Sequence, residues 1–274
     1  MRRLLVVLLL TVCAGTAGAR PARVPRLVFP VVGQATYHDD FGEARGRLKH
    51  QGIDILAARK AIAVAAEAGT IEFWTTSKSA GCMLYLRGVS GTTYQYIHLN
   101  NDLGRGNDNR GKCVAGVSYA SGLTDGSAVV AGQPVGFVGD SGDANGLHPH
   151  LHFELHPGDG PAVDPMRSLN RAQRLLFAAG PGSTVALSMT GTVLSDDGTT
   201  LSVRVKTLRV LPKGASLRKV ARTVSLSIPD PSVETVAADA LVGMPVVVLT
   251  EPVVTTLSAQ LGKGLIAARV SPSG

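Results

Sequence analysis

Short runs of alternating apolar and polar residues, separated by glycine or polar turns, fill much of the first half of the chain. Side chains two positions apart on a strand share a face, so such runs are typical of half-buried β-strands. The pattern predicts an antiparallel β domain with strands at residues 62–66, 69–74, 83–86, 93–99, 134–139 and 150–155.

Two later segments break this pattern. Residues 100–127 are rich in Gly, Asn, Asp and Ser, and we expect a long surface loop there; loops of this length are usually functional or held in place by other contacts. Residues 164–179 have a helix-compatible pattern that ends at Gly180-Pro181-Gly182. This stop signal predicts a domain boundary.

The composition changes after the boundary. Residues 183–270 are rich in Val, Thr, Ser and Leu, in runs such as 200–205, 224–228 and 245–250, which predict a small β-barrel or sandwich. The region contains no His, Cys, Phe, Trp or Tyr, so it offers neither imidazole ligands nor aromatic platforms for sugar rings. We expect its role to be structural, or attachment through charge.

The most informative feature is a cluster of histidines. Three of the seven histidines fall at positions 148, 150 and 152. On a strand, His150 and His152 point to one face, where they can meet one metal ion. Upstream, His50 and Asp54 also have a spacing that lets them converge, so one ion could take His50, Asp54 and one histidine of the later pair. Two histidines, a carboxylate and an open position for water suit a catalytic Zn²⁺, which predicts a metal hydrolase.

Several ordered motifs resemble one known family, the LytM/lysostaphin-type M23 zinc metallopeptidases of bacterial cell walls. They are Phe29-Pro30, Phe41-Gly42 with Arg45, His50-Gln51-Gly52-Ile53-Asp54-Ile55, Tyr96-Ile97-His98-Leu99, Gly132-Gln133-Pro134-Val135-Gly136-Phe137-Val138-Gly139-Asp140-Ser141-Gly142, His150-Leu151-His152-Phe153-Glu154 and Val163-Asp164-Pro165. The resemblance implies a LytM-like antiparallel fold, Zn²⁺ as the cofactor and peptidoglycan peptides as the substrate.

The resemblance also implies a role for each site residue. His50, Asp54 and His152 look like the zinc ligands, and His98 and His150 look like the catalytic pair that orients water and stabilises the transition state. The long segment 100–127 and the pair Cys82/Cys113 depart from the family's usual pattern. Because such loops wall the substrate groove, the bond that is cleaved is not carried over.

The expected organisation is mainly β. It comprises a signal peptide at 1–19, an M23-like zinc peptidase domain at 27–170, a helix end and linker at 171–182, and a C-terminal all-β domain of unknown function at 183–270. The chain is expected to be a secreted zinc-dependent endopeptidase that hydrolyses cross-links or stem peptides.

Other functions remain to be weighed. The main alternative is a catalytically silent M23-like domain that binds peptidoglycan or activates another wall hydrolase. A cupin motif is matched in spacing by Gly142, His148, His150 and Glu154, but the chain has no histidine after His156 for a second cupin motif. A metallo-β-lactamase site would continue the histidine pair with Asp-His, whereas Phe153-Glu154 follows here.

The N-terminus and the cysteines bear on localisation. A charged start, an apolar run and Ala17-Gly18-Ala19 are typical of a secretory signal, which predicts a periplasmic or extracellular protein. Cys13 lies in a poor match to a lipoprotein cleavage box, and the apolar run is too short for a comfortable membrane span. In an exported protein the remaining cysteines, Cys82 and Cys113, favour a disulfide.

The charge and composition limit the partners. A formal net charge of +7 makes a polyanionic partner plausible, such as an anionic wall polymer bound by the basic C-terminal domain. Export and an aromatic content of 4% argue against nucleic acid. The remaining candidate side chains are given structural roles, with His148 on the site rim, Asp39 and Asp40 beside His38 in a solvated loop, His156 exposed at a turn and Trp74 in the core.

Overall fold

The computed structural model describes residues 24–74, 77–212, 216–234 and 241–273, apart from the side chain of residue 218. The predicted signal peptide at 1–19 and Cys13 lie outside the described residues. Strands dominate the described part and pair antiparallel in the sheets, which confirms the predicted mainly β class.

Eleven strands lie in the described part of the first 160 residues. They are β1 (Ala35–Thr36), β2 (Ala44–Arg45), β3 (Leu48–Lys49), β4 (Ile53–Ala57), β5 (Ile62–Val64), β6 (Gly69–Trp74), β7 (Cys82–Gly88), β8 (Thr92–Leu99), β9 (Ala128–Val129), β10 (Pro134–Phe137) and β11 (His150–Pro157). One seven-stranded sheet has the order β1-β4-β11-β8-β7-β6-β9. The pairs β2/β3 and β5/β10 form two small sheets.

The alternation seen in the sequence produces the two faces of the large sheet. Tyr94, Tyr96 and Phe153 lie on the inner face and are fully buried, and the ring of Phe153 contacts the rings of both tyrosines. Residues one position away, such as Gln95 and Glu154, lie on the opposite face. Burial of the apolar face fixes the register, and the register decides which polar side chains share the open face.

The segment 100–127 has no strand, as predicted, but it is not simply a surface loop. Tyr119 is fully buried, its ring stacks on Phe73 with centroids 3.9 Å apart, and its hydroxyl donates to the carbonyl of Met83. A disulfide joins Cys82 to Cys113, which confirms the predicted bridge. The segment is therefore anchored to the sheet at more than one point.

The predicted helix at 164–179 is wrong for its second half. The helix α1 spans only Met166–Arg171. The chain then runs extended, and its backbone pairs elsewhere: Gln173 bonds with Leu27 and Phe29, and the amide of Leu176 donates to the carbonyl of Gln260. Burial of Leu175, Leu176 and Phe177 outweighs the local helical preference.

The rest of the chain forms a second sheet. Its strands are β12 (Thr184–Asp196), β13 (Thr200–Leu211), β14 (Ser216–Ser227), β15 (Pro245–Thr250), β16 (Val253–Val254) and β17 (Ala267–Pro272), in the order β14-β13-β12-β15-β17 with β16 on β12. A short helix, α2, spans Leu257–Gln260, and 3-10 turns lie at Gly142–Ala144 and Pro231–Val233. An isolated bridge from Ser227 to Ile266 brings the two edge strands together at one end. The predicted domain boundaries and the barrel or sandwich stay predictions.

Each sheet has its own apolar core, and a third cluster joins them. It comprises Val28, Val32 and Val64 from the first half, Leu175 and Ala178 from the connecting segment, and Leu217, Leu257 and Leu261 from the second half. The connecting segment therefore packs between the two sheets. Within the described residues, no helix has the length and apolar character needed to cross a membrane.

Candidate metal centre

The predicted ligands converge at the junction of β4 and β11. Asp54 and His152 are direct partners across this antiparallel pair, so their side chains share the open face of the sheet. His50 reaches the same point from the turn that precedes β4. Between His50 and Asp54, a Cβ on Gly52 would lie 2.6 Å from the carbonyl of Phe153, so only glycine lets this turn approach β11 closely.

Three ligand atoms face one another at this junction. His50 Nε2 lies 2.8 Å from His152 Nδ1 and 3.1 Å from Asp54 Oδ1, and His152 Nδ1 lies 3.0 Å from Asp54 Oδ1. Ligands of a tetrahedral Zn²⁺ with bonds near 2 Å are about 3.3 Å apart. In the described ranges, these residues form the one group of three or more acidic, histidine or cysteine side chains close enough to share an ion. The donor set and its spacing fit zinc.

Hydrogen-bond acceptors hold the outer nitrogens of both candidate ligand imidazoles. His50 Nδ1–H donates to the carbonyl of Asp40 at 2.9 Å, and His152 Nε2–H donates to Glu154 Oε1 at 2.8 Å. Since neither acceptor can donate, the proton is fixed on the outer nitrogen and the inner lone pair points toward the other ligands. Such outer contacts orient metal-binding histidines and make them more basic.

The two predicted catalytic histidines lie beside the ligands. His98 Nδ1–H donates to the carbonyl of Ser141 at 2.8 Å, and His150 Nδ1–H donates to the carbonyl of His148 at 2.9 Å. Their ring centroids are 5.0 Å apart, and His150 Nε2 lies 3.7 Å from Asp54 Oδ1. His150 therefore directs Nε2 toward the candidate ligands, whereas Nε2 of His98 lies 3.7 Å from Asp143 Oδ1 at the wall of the cleft. His98 has a φ of 61°, an uncommon conformation for a non-glycine residue, of a kind that often marks functional sites.

These five side chains open into one cleft of about 470 Å³. Its walls come from the β2–β3 hairpin on one side and from residues 79–80 and 143–147 on the other. Arg45 of the hairpin contacts the second carboxylate oxygen of Asp54 at 3.0 Å, which leaves Oδ1 to the histidines. The candidate ligands therefore lie in a cleft with a wall on each side.

The protonation equilibria follow from burial and from these contacts. Burial raises the pKa of Asp54, but the adjacent imidazoles of His152 and His50 outweigh burial and hold the pKa well below its usual range. Burial and the neighbouring His150 lower the pKa of His98 to about 4, so its imidazole is neutral near pH 7. Burial raises the pKa of Glu154, but hydrogen bonds from His152 and His156 lower it to about 2.

Glu154 and His156 are functional candidates that the sequence reasoning missed. Glu154 Oε2 accepts from His156 Nε2 at 2.6 Å, and His156 Nδ1–H donates to the carbonyl of Gly160 at 2.9 Å. The hydrogen bond to Glu154 raises the pKa of His156. His156 was expected to be exposed, but it holds the carboxylate that holds His152. The sequence carried a signal for this contact, because residues 152, 154 and 156 are alternate residues of one strand and their side chains share a face.

Two other expectations are also wrong. Asp40 is buried and contacts His50, so it is not part of a solvated loop, although His38 and Asp39 beside it are exposed. His148 points away from the cleft and lines a groove beside Lys60 and Lys219, so only its backbone carbonyl serves the site. The cupin set is therefore not brought together.

Comparisons with known proteins agree with the motif resemblance. No protein-family profile matches the chain. The chain is 27% identical over 139 residues to the L-Ala–D-Glu endopeptidase of Bacillus subtilis (strain 168), an alignment that covers 48% of this chain. It covers only 37% of that relative's length.

The similar solved structures include lysostaphin from Staphylococcus simulans. Its catalytic domain, described as an antimicrobial peptidase, is 23% identical with a TM-score of 0.38, and the match covers 50% of this chain and 92% of that one. The antimicrobial peptidase lysostaphin itself matches at 17% identity with a TM-score of 0.42, over 85% of this chain and 89% of that one.

Proposed function

We propose that this chain, which resembles the LytM/lysostaphin-type M23 metallopeptidases, is a zinc-dependent endopeptidase that hydrolyses peptide bonds in bacterial peptidoglycan. The observation that carries the proposal is the convergence of five side chains on one cleft. His50, Asp54 and His152 offer three ligand atoms to one ion, and His98 and His150 line the same cleft with their Nδ1 atoms bonded to backbone carbonyls. The likeness to the Bacillus subtilis endopeptidase supports the substrate class.

The chain's own residues divide the work. Zn²⁺ bound by His50, Asp54 and His152 would act as a Lewis acid that polarises the scissile carbonyl and acidifies water. His150 is the favoured general base, because its Nδ1–H is fixed on a carbonyl and its Nε2 is left to accept the proton of the attacking water. The same nitrogen then returns that proton to the leaving amine.

His98 assists from the other side of the cleft. With its pKa lowered to about 4, it stays neutral at pH 7, so its Nε2 orients water as an acceptor. The alternative role of His98, donation to the oxyanion, would need a protonated Nε2, which its lowered pKa disfavours. Arg45 holds the second carboxylate oxygen of Asp54 in place.

The site argues against a silent M23-like domain, because such a domain would have no need for all five groups and their hydrogen-bonded supports. Export to the periplasm or the cell exterior, and attachment of the basic C-terminal region to anionic wall polymers, stay predictions.

The proposal is tested by mass spectrometry of muropeptides released from intact peptidoglycan by the purified chain. We expect new peptide termini that disappear with a chelator and return with zinc, and their masses identify the bond. Asp54→Ala should abolish release, with His38→Ala as the matched control at an exposed residue. The silent alternative would be favoured if the zinc-loaded protein released nothing from several wall types, while both this protein and Asp54→Ala stimulated a partner hydrolase.

A further inference from the structure

We expected Trp74, the only tryptophan of the chain, to lie in the core, but it does not. It ends β6, and 40% of it is exposed. The half-buried ring of Tyr85 on β7 lies beside it, with ring centroids 5.7 Å apart and planes tilted by 51°. The two rings form an apolar surface that a ligand would remove from water.

This aromatic pair lies on the same sheet face as the metal centre. Glu154, Gln95, Tyr85 and Glu72 are paired one after another across β11, β8, β7 and β6, and directly paired residues share a face. Since neighbouring strands are about 4.8 Å apart, Tyr85 lies about 10 Å along the face from Glu154. A polymer that extends out of the cleft across the sheet passes over the two rings.

Polar side chains surround the rings and complete a hollow of about 430 Å³. Arg87 lies with its Cζ 5.1 Å from the Tyr85 ring centroid, and it donates to Glu72 at 2.9 Å and to Asp159 at 2.6 Å. These contacts fix Tyr85 and leave Trp74 as the more open ring. The amide of Gln95 lies on the side nearest the cleft.

The charges of the hollow already have partners. Arg87 is paired with Glu72 and Asp159, and His156 with Glu154. Among the described side chains of the hollow, the one arginine faces two carboxylates, so the net charge there is negative and would repel an acidic stem peptide. Carboxylate, guanidinium and amide groups around an open indole instead suit a neutral ligand with one apolar face and a ring of hydroxyls.

We propose that the hollow of Trp74 and Tyr85 is a saccharide subsite, which binds a pyranose ring of the glycan strand with the C–H face of the sugar on the indole. This inference rests on the proposed function, because the glycan strand carries the peptides that enter the cleft. It adds a glycan contact to an enzyme whose chemistry concerns only the peptide.

The single tryptophan makes the test direct. Peptide-free oligosaccharides of alternating N-acetylglucosamine and N-acetylmuramic acid, with the lactyl carboxyl groups converted to amides so that the strand is neutral, are titrated into zinc-free Asp54→Ala protein, and the emission of Trp74 is followed. We expect a saturable change in the emission. Tyr85→Leu should raise the dissociation constant roughly tenfold. The control is Val89→Ala, at a residue that is 79% exposed and lies outside the hollow, and it should leave the dissociation constant unchanged.

A second measurement covers the loss of the reporter. Trp74→Leu, with an unchanged circular dichroism spectrum, is titrated by calorimetry and should also bind roughly tenfold more weakly. Oligosaccharides that leave the Trp74 emission unchanged at millimolar concentration would refute the subsite, and so would a response to free stem peptides instead. The titration uses an inactive variant, so it detects sugar binding whether or not the chain proves to be a peptidase.

Discussion

His152 and Glu154 are bonded to each other on one strand, with His152 Nε2 and Glu154 Oε1 2.8 Å apart, and the opposite nitrogen of His152 faces His50 and Asp54. Because alternate residues of β11 point to one face, the metal-ligand candidate and its orienting carboxylate lie side by side there. His156 extends the chain of contacts by one more step.

Glu154→Gln should weaken zinc binding 10- to 100-fold, the usual effect of removing a carboxylate behind a metal-binding histidine. The amide keeps the size of the side chain but supplies no negative charge to His152. Competition with a chromogenic chelator measures the affinity, and Glu251→Gln at an exposed position is the control. An unchanged zinc affinity in folded Glu154→Gln would show that this contact only packs the strand.

Variants of His98 and His150 should differ from variants of the candidate ligands in whether they retain zinc. His98→Ala and His150→Ala are expected to keep bound zinc but to lose about 10²- to 10⁴-fold in kcat, the range for general acid–base groups. Metal analysis alongside kinetics distinguishes them from Asp54→Ala, which should lose both. His38→Ala should match the wild type, and a loss of zinc from His150→Ala would mean that His150 is a ligand.

The lowered pKa of His98 predicts a dependence of stability on pH. Its pKa is about 4 in the folded protein and 6.5 in the reference state, so the unfolded chain binds the proton more readily. Stability should fall as the pH drops from about 6.5 to 4, by about 3 kcal/mol from this one group, and this contribution should not change further below pH 4.

Urea unfolding of the chelated protein at pH 7 and pH 4.5 measures this effect. His98→Asn keeps an N–H for the carbonyl of Ser141 but does not titrate, so it should lose less stability than the wild type over the same interval. Equal losses in the two proteins would contradict the assignment.

The sequence predicted the elements that local patterns specify. The strand predicted at residues 69–74 matches β6, and those predicted at 93–99 and 150–155 lie within β8 and β11, because alternation is a property of single strands. The strand β4, which carries Asp54, was not predicted. Residues 172–179 were predicted as helix from their local pattern. That prediction failed because their burial between the two sheets depends on residues that are distant in the sequence. The position of Trp74 could not be deduced either, since it depends on which face of β6 the other strands cover.

The disulfide gives a last prediction about the long segment 100–127, none of whose residues lines the cleft. Cys82 pairs with Leu99, the neighbour of His98, and the bridge ties Cys113 of the long segment to this strand end. A bridge across 31 residues should stabilise the fold by about 3–4 kcal/mol through the entropy of the unfolded chain.

Cys82→Ala/Cys113→Ala should therefore lower the free energy of unfolding by about that amount. Exchange of amide hydrogens should rise mainly in residues 103–117, because Tyr119 still anchors the end of the segment to Met83. Reduction of the wild type should reproduce both effects in urea unfolding and hydrogen-exchange mass spectrometry. If the reduced protein unfolds at the same urea concentration as the oxidised one, the contacts of Tyr119 suffice to hold the segment and the bridge adds no stability.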